Sequence, residues 1–551
     1  MTKAAVVAAA AAVAAAACSS GGNGGSSGSA GTASSGSGQA TVNTTPSAKG
    51  PISSFSWDLP YGEPPSLDPT QAVAYSQNTV LSNLCEGLLR VNPDNTYQPV
   101  LASSFSNPTP TTWVYNIRKG VTFWDGKPLT AADVAYSLNR NLSPKVASLW
   151  ADPWYTDVKS IAATGPMQVT ITTGHPDHVL NQMLATAAGV VGEAAYTKQQ
   201  GKAYGTAQGG LMCTGPFKMG KWTPGVGITI QRYPGYWDTS NRAKAGQVNF
   251  KFVTDPAALT NALLSGAIDG TYEVPISAVD KLRSTGVGKF YLGKSTEFGT
   301  LSITSKPGPI QDTRIRRALE LAIDRPAIAR SIFHGTAKPI YSLVFPAVWS
   351  YGKSTLQDAY NKLPNRNVDL AQARKLVQQA GSPSQPLLVL VSAGDPSAVS
   401  IAEYVQAAAG QAGLKVKIVQ QPPAQALAIP FEPSARKHYD LMLQISGYYD
   451  IPEPLEQPLM NWLPGALFNY NNYNDPKVAG ILNKASATVD PGQRAALVNQ
   501  AQAIAQGQQI ATLPLVNFDE RLFMNKRITG AVASLPSSLY YPWAVGVGAA
   551  G

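Results

Sequence analysis

The residues able to do chemistry are few, and their spacing excludes more than it offers. Four histidines, His175, His178, His334 and His438, are the whole supply of imidazole in 551 residues, which leaves little for general-base or metal chemistry. His175 and His178 stand three apart, but Pro176 lies between them and no third ligand is near, the pattern of a surface turn rather than a zinc site. One Gly-x-Ser-x-Gly sequence, Gly24 to Gly28, has no strand before it and no helix after it, so it lacks the setting of a nucleophile elbow. There is no His-Glu-x-x-His, no phosphate-cradling glycine loop before a helix and no paired-cysteine motif. No catalytic residue, metal or cofactor is expected, although nothing in the spacing rules out an acid pair among the carboxylates.

The three cysteines carry more information. Lys3 is followed by the apolar run Ala4 to Ala17 and then by Cys18. A charged start, an apolar stretch too short to span a bilayer and small residues before the cut mark residues 1–17 as a secretory signal, with Cys18 as the lipid-attachment point. Ser19 to Ala40 holds eight Gly, eight Ser and no charge, a composition that buries nothing. Residues 18–50 are therefore expected to form a lipid-anchored tether, holding the folded part roughly 30 Å from the outer face of the cell membrane. With Cys18 lipidated, an oxidising compartment makes a Cys85–Cys213 disulfide the economical pairing, two buried free thiols being the alternative. Such a bridge closes a loop rated at about 4–5 kcal/mol of chain entropy.

The elements that must position any site alternate along the chain. Hydrophobic residues make up 44% and charged residues 14%, a globular body of two or three core-forming units. The net charge of +10 is scattered, and its densest cluster, Arg314, Arg316 and Arg317, falls within an amphipathic helical pattern, so nucleic acid is not expected as a partner. Residues 113–117 and 227–231 alternate as half-exposed strands. Thr130 caps a helix to Asn141 with Asp133 three places on, Asp255-Pro256 opens another that Gly266 ends, and the region Asp312 to Gly335 is helical with a restart at Pro326. Asp369 caps a helix from Leu370 to Ala380. Residues 386–391, a helix over 397–412 and residues 415–419 make a strand, helix, strand unit, which implies parallel pairing and a mixed α/β class. Leu441, Leu443 and Ile445 give one face of a further strand.

Several runs together resemble a known family. Pro65-Ser66-Leu67-Asp68-Pro69, Cys85-Glu86-Gly87-Leu88-Leu89, the stretch from Tyr115 to Val134 containing Phe123-Trp124-Asp125-Gly126-Lys127-Pro128-Leu129-Thr130, Thr214-Gly215-Pro216-Phe217, Ser265 to Asp269 and Arg314 to Arg325 occur in order. They are similar to the extracellular solute-binding proteins of family 5, the oligopeptide- and dipeptide-binding lipoproteins of ABC importers. Cys85 stands where the family usually has Tyr, and residues 301–304 depart from its usual strand-closing Asn. The resemblance implies a periplasmic-binding-protein type II clamshell: lobe I over 51–298 with an extra small subdomain at about 83–212, lobe II over 299–511, and a return to lobe I over 512–551. It also implies two crossing strands, a ligand enclosed between the lobes, permease subunits as partners and a monomeric receptor.

The resemblance also suggests where the ligand sits. Gly447-Tyr448-Tyr449-Asp450-Ile451-Pro452-Glu453-Pro454 directly follows a strand, at the end where α/β crevices open. In the peptide binders a similar loop offers an Asp to the ligand's amino terminus, and Asp450 matches that position, with Gly447, Tyr448 and Tyr449 beside it. An ammonium enclosed away from water needs such a carboxylate. Glu63, Pro64 and Pro65 are expected to form the opposite wall, the two prolines giving no amide donor, and Trp462 to line a pocket. The expected cargo is a short peptide; a metal chelate or an oligosaccharide, and a wall-peptide hydrolase, are the rival readings.

Overall fold

A computed structural model of the chain describes residues 45–364 and 366–551. The expected signal, Cys18, the Gly24 to Gly28 sequence and most of the tether lie outside the described residues.

Two sheets organise the described chain. The first has seven strands in the order β12 (Gly288–Gly293), β19 (Glu520–Asn525), β11 (Gly270–Thr271), β1 (Ile52–Asp58), β10 (Ala245–Lys251), β9 (Gly227–Arg232) and β8 (Phe217–Thr223). Its centre is parallel, β1 pairing with both β10 and β11, and its two edges are antiparallel. The second has six strands in the order β14 (Ala337–Pro339), β18 (Leu513–Phe518), β13 (Phe298–Ile303), β17 (Leu441–Gly447), β15 (Leu387–Ser392) and β16 (Val416–Gln421). A smaller antiparallel sheet has the order β4 (Ala102–Thr109), β5 (Thr112–Ile117), β7 (Gln168–Thr173) and β6 (Val158–Gly165). Two-stranded ribbons, β2 (Leu89–Val91) with β3 (Tyr97–Pro99) and β20 (Ile528–Thr529) with β21 (Gly548–Ala549), complete the set.

The local signals behind these elements are those in the sequence. Trp113, Tyr115 and Ile117 point inward from β5 while Asn116 is exposed, the period-two pattern of a half-buried strand. Helix α1 spans Tyr75–Leu84 and α2 spans Ala131–Asn139. Thr130 and Asp133 close a reciprocal capping box at the start of α2, which satisfies donors the first turn leaves open. Asp255 caps Pro256–Ser265, and Gly266 ends that helix in the left-handed conformation at φ +77°, where a side chain would be strained. β15 and β16 pair in parallel across the helix Pro396–Gln411. The Asp312 to Gly335 region is two helices, Thr313–Ala322 and Arg325–Ser331, because Ile323 turns extended and Asp324 caps the second. Arg316 is buried on the first of these helices, donating to Ile310 O at 2.7 Å, rather than lying on a solvated face.

The chain passes between the two sheets twice. It leaves the first at Gly293 and enters the second at Phe298, then returns from Phe518 to Glu520 through Asp519. The passages are stitched together: Asn517 Nδ2 donates to Ser295 O at 2.9 Å and Glu297 O at 2.7 Å, and Phe518 N donates to Glu297 O at 2.9 Å. Separate apolar cores lie under the two sheets. In the first, Trp57, Phe55 and Tyr272 pack on Trp543 from the end of the chain, with 4.3 Å between the Trp57 and Trp543 rings. Leu301, Leu319, Val389, Ile401, Leu441 and Leu515 centre the other. Among the described residues no helix is long and apolar enough to cross a membrane.

Cys85, at the end of α1, is bonded to Cys213, 128 residues away. The bridge ties α1 to the segment entering β8. Replacing both cysteines by alanine is expected to lower the free energy of urea unfolding by about 2–5 kcal/mol, the usual loss for a native bridge of long span. Equal unfolding curves for the variant and the parent would show that the bridge adds nothing.

Candidate functional site

β17 ends at Gly447, and the chain then runs through 448–455 into the helix Glu456–Trp462. Gly447 allows a close approach there: a Cβ would stand 3.0 Å from the Phe298 ring on the neighbouring strand and crowd it. Beyond it the side chains of an extended segment alternate, and Tyr448 and Tyr449 part company. Tyr448 is half-buried, its hydroxyl donating to Val73 O and its ring standing edge-on to Tyr75 at 5.7 Å. Tyr75 in turn meets Tyr61 at 5.5 Å, and Tyr61 is 65% exposed. Tyr449 turns the other way, fully buried against Phe298 and Phe345 with its hydroxyl on Leu343 O at 2.6 Å.

Asp450 has one oxygen held and one open. Its Oδ1 accepts from the Tyr540 hydroxyl at 2.5 Å, and Oδ2 accepts no hydrogen bond among the described residues. Part of its surface remains exposed, yet desolvation raises its carboxyl to about 6 against the opposing effect of the Tyr540 phenol. That combination belongs to a largely buried carboxyl with a single neutral donor.

Two further acids hold the loop in place. Glu456 Oε1 accepts from Asp450 N at 2.9 Å and Oε2 from Ile451 N at 3.3 Å. Burial, and then the Asp450 charge, push Glu456 well above the usual carboxylate range. Glu453 accepts from the Tyr351 hydroxyl at 2.6 Å and Leu455 N at 3.0 Å, with Arg494 3.8 Å away. With both oxygens spent on backbone amides, Glu456 fixes the loop on either side of Asp450. Gln457 Nε2 adds a bond to Tyr448 O at 3.0 Å, and Thr296 Oγ1 one to Tyr449 O at 2.7 Å, next to the first passage between sheets.

The other expected wall residues are placed differently. Glu63 is exposed, but both of its oxygens are occupied by the β8–β9 hairpin, Oε1 by Trp222 Nε1 at 2.7 Å and Oε2 by Gly225 N at 2.8 Å. Pro64 is buried and Pro65 exposed beside it. Trp462 corrects the expectation of a pocket lining: it has no exposed surface and packs in the core with Tyr449 and Leu455, because the apolar face of its helix turns inward. The same correction applies to Tyr449. The structure brings Tyr448 and Asp450 together with two residues that no sequence signal marked, Tyr540 and Glu456.

A pair of sheets joined by two passages, with Asp450 at the carboxyl end of a strand in one and tyrosines of the other beside it, is a two-lobed arrangement. The sequence matches the bacterial extracellular solute-binding proteins, family 5 (middle), over residues 96–469, and the chain belongs to that family. Proteins of this family work with the permeases of ABC importers. The chain is 25% identical over 459 residues to the glutathione-binding protein GsiB of Escherichia coli (strain K12), covering 82% of this chain and 86% of the relative. Its fold is similar to that of the periplasmic binding protein DppA from Helicobacter pylori in complex with the peptide STSA, with a TM-score of 0.77, 19% identity and coverage of 91% and 99% of the two chains. It is also similar to NikA from Staphylococcus aureus in complex with Ni(L-His)2, with a TM-score of 0.72, 20% identity and coverage of 89% and 99%.

The Tyr540 phenol lowers the Asp450 carboxyl by supplying a hydrogen bond to its charged form. Tyr540→Phe is expected to move that carboxyl above 6, read from the pH dependence of the Asp450 carboxyl carbon resonance. An unmoved or lower midpoint would remove Tyr540 from the electrostatics of the site.

Proposed function

We propose that the protein is an extracytoplasmic, lipid-anchored receptor that encloses a short peptide by its free amino terminus and delivers it to the permease of an ABC importer. The observation that carries this reading is Asp450: a desolvated carboxylate with one oxygen held by Tyr540 and the other open. A primary ammonium has the charge and the donors to complete it, and burying either partner alone costs several kcal/mol. Tyr448, Tyr75 and Tyr61 offer flat apolar area with polar tips beside it. On this reading residues 51–293 with 520–551, and residues 298–518, are the two closing lobes, the boundaries expected at 298/299 and 511/512 moving because β13 and β18 are strands of the second sheet; residues 1–17 are the export signal, Cys18 carries the lipid, and the protein acts as a monomer. It binds its cargo without altering it. That DppA is complexed with a peptide supports the cargo class, while NikA with its nickel chelate marks the breadth of ligands this fold accepts.

Calorimetry with trialanine tests the assignment. Asp450→Asn is expected to weaken binding about 100-fold, the tenfold-per-1.4 kcal/mol equivalent of a lost enclosed charge pair, and amino-acetylated trialanine is expected to bind the parent protein equally poorly. Unchanged affinity in either arm rejects the reading.

The same carboxyl sets a pH dependence. Ammonium binding needs Asp450 ionised; with its carboxyl near 6, about one molecule in eleven is ionised at pH 5. Trialanine affinity is therefore expected to fall about tenfold between pH 7.5 and pH 5, and a flat profile across that range would contradict it.

A further inference from the structure

Tyr61 exposes 65% of its surface, more than any other Phe, Tyr or Trp described. Its backbone stands at φ +64°, a left-handed conformation that bulky residues seldom adopt. The turn holding it is closed by Gly62 N, which donates to Leu59 O at 3.1 Å. Strained residues persist where their surroundings over-determine them, and they cluster at ligand clamps. Tyr61 also follows β1, which pairs in parallel with both β10 and β11, so it stands at the strand end where α/β crevices open.

On one side the ring joins a row that leads to the binding loop: Tyr75 lies 5.5 Å away, and Tyr448 lies 5.7 Å beyond Tyr75. On the other side are acids. Desolvation raises the Tyr61 phenol first, then the charges of Glu297 and Glu273, with Arg521 opposing them and Asp395 adding to them. Glu297 and Glu273 are buried, and Arg521 is held by Glu273 and by Val274 O. Asp395 differs from them. It follows β15 of the second sheet, caps the helix Pro396–Gln411 and is only half-buried. Its Oδ1 accepts from Ser397 N at 2.9 Å and Ala398 N at 3.1 Å, while Oδ2 accepts no hydrogen bond among the described residues. An exposed ring of the first lobe thus stands near an open carboxylate oxygen of the second, and no hydrogen bond joins the two.

We propose that Tyr61 and Asp395 form a second cation subsite, which takes a Lys or Arg side chain at the second or third residue of a peptide whose amino terminus meets Asp450. The ring offers its face and Asp395 its open oxygen. The proposal rests on the reading of Asp450 as the amine site. Two ring-to-ring steps separate Tyr61 from Tyr448, each longer than the roughly 3.3 Å rise of one extended residue. The subsite therefore lies beyond the first ligand residue and within reach of a long side chain from the next two. A cation held there touches both lobes and favours the closed form by that difference in contacts.

Calorimetry on the full chain compares Ala-Lys-Ala and Ala-Ala-Lys with the same peptides carrying norleucine for lysine, which keep the stem and lose the charge. At least one lysine peptide is expected to bind about tenfold more tightly than its norleucine counterpart. Asp395→Asn, which keeps a residue suited to capping the helix, is expected to cut that ratio to about twofold or less and to leave trialanine affinity within about twofold. Tyr61→Asn, whose side chain tolerates the left-handed backbone, is expected to lower the ratio several-fold. Lysine and norleucine peptides bound alike, or a ratio unchanged in either variant, overturns the subsite alone. Failure of trialanine and all four test peptides to bind overturns the peptide reading and the subsite with it.

Discussion

The structure of the crevice follows from one constraint: a carboxylate removed from water must be given donors or lose its charge. The loop between β17 and the helix Glu456–Trp462 holds three acids within seven residues, Asp450, Glu453 and Glu456, all pushed upward by burial. Two of them meet the constraint locally. Glu456 captures the amides of Asp450 and Ile451, and Glu453 captures Tyr351 and the amide of Leu455. Those bonds fix the backbone on either side of Asp450, so the loop cannot rotate the third acid toward other donors without breaking them. Asp450 keeps one open oxygen because the backbone around it is held by Glu456, while Glu453 leaves its own Oε2 to Arg494 alone, 3.8 Å away.

The passages between sheets face the same constraint with a different outcome. Glu297, at the end of the first passage, and Glu520 with Arg521, at the end of the second, meet Glu273 in a buried cluster of three acids around one guanidinium. Arg521 is committed to Glu273 and to Val274 O at 2.9 Å, while Glu297 Oε2 and Glu520 Oε1 have no hydrogen-bond partner. Burial and mutual repulsion drive Glu297 and Glu520 toward the neutral form. The backbone there is stitched by Asn517, a neutral amide whose three bonds need no charge. The joint between the lobes is therefore held by backbone pairing, with the acids contributing cost rather than cohesion.

Much of this was legible in the sequence wherever a local rule decides. Caps at Thr130, Asp255 and Asp369, the alternation of residues 113–117 and the parallel β15–helix–β16 unit each depend on residues a few places apart. The strand that ends just before Asp450 was legible for the same reason, and the disulfide followed from counting cysteines. The lining was not. Tyr448 and Tyr449 are adjacent and chemically identical, and only the register of β17 against Phe298 decides which one meets the crevice. Trp462 carries the same aromatic signal whether it faces ligand or core. Tyr540 lies 90 residues from Asp450, and no spacing rule reaches across a return of the chain. Glu63 reads as a wall acid until the β8–β9 hairpin, some 160 residues later, is seen to occupy both oxygens.

The bond between Tyr540 and Asp450 joins these points. Tyr540 belongs to the core of the first sheet, and Asp450 follows a strand of the second, so a single hydrogen bond couples an ionisation to the contact between lobes. A phenol bound to a carboxylate is a stronger contact than a phenol bound to a neutral acid. Anything that favours the charged form of Asp450 must, by linkage, strengthen the bridge between the two bodies. On the proposed reading an ammonium meets Oδ2 and leaves Tyr540 in place, since the two donors use different oxygens. A ligand shifts a two-state equilibrium only by its difference in affinity for the two states, and here part of that difference comes from a bond the ligand does not touch.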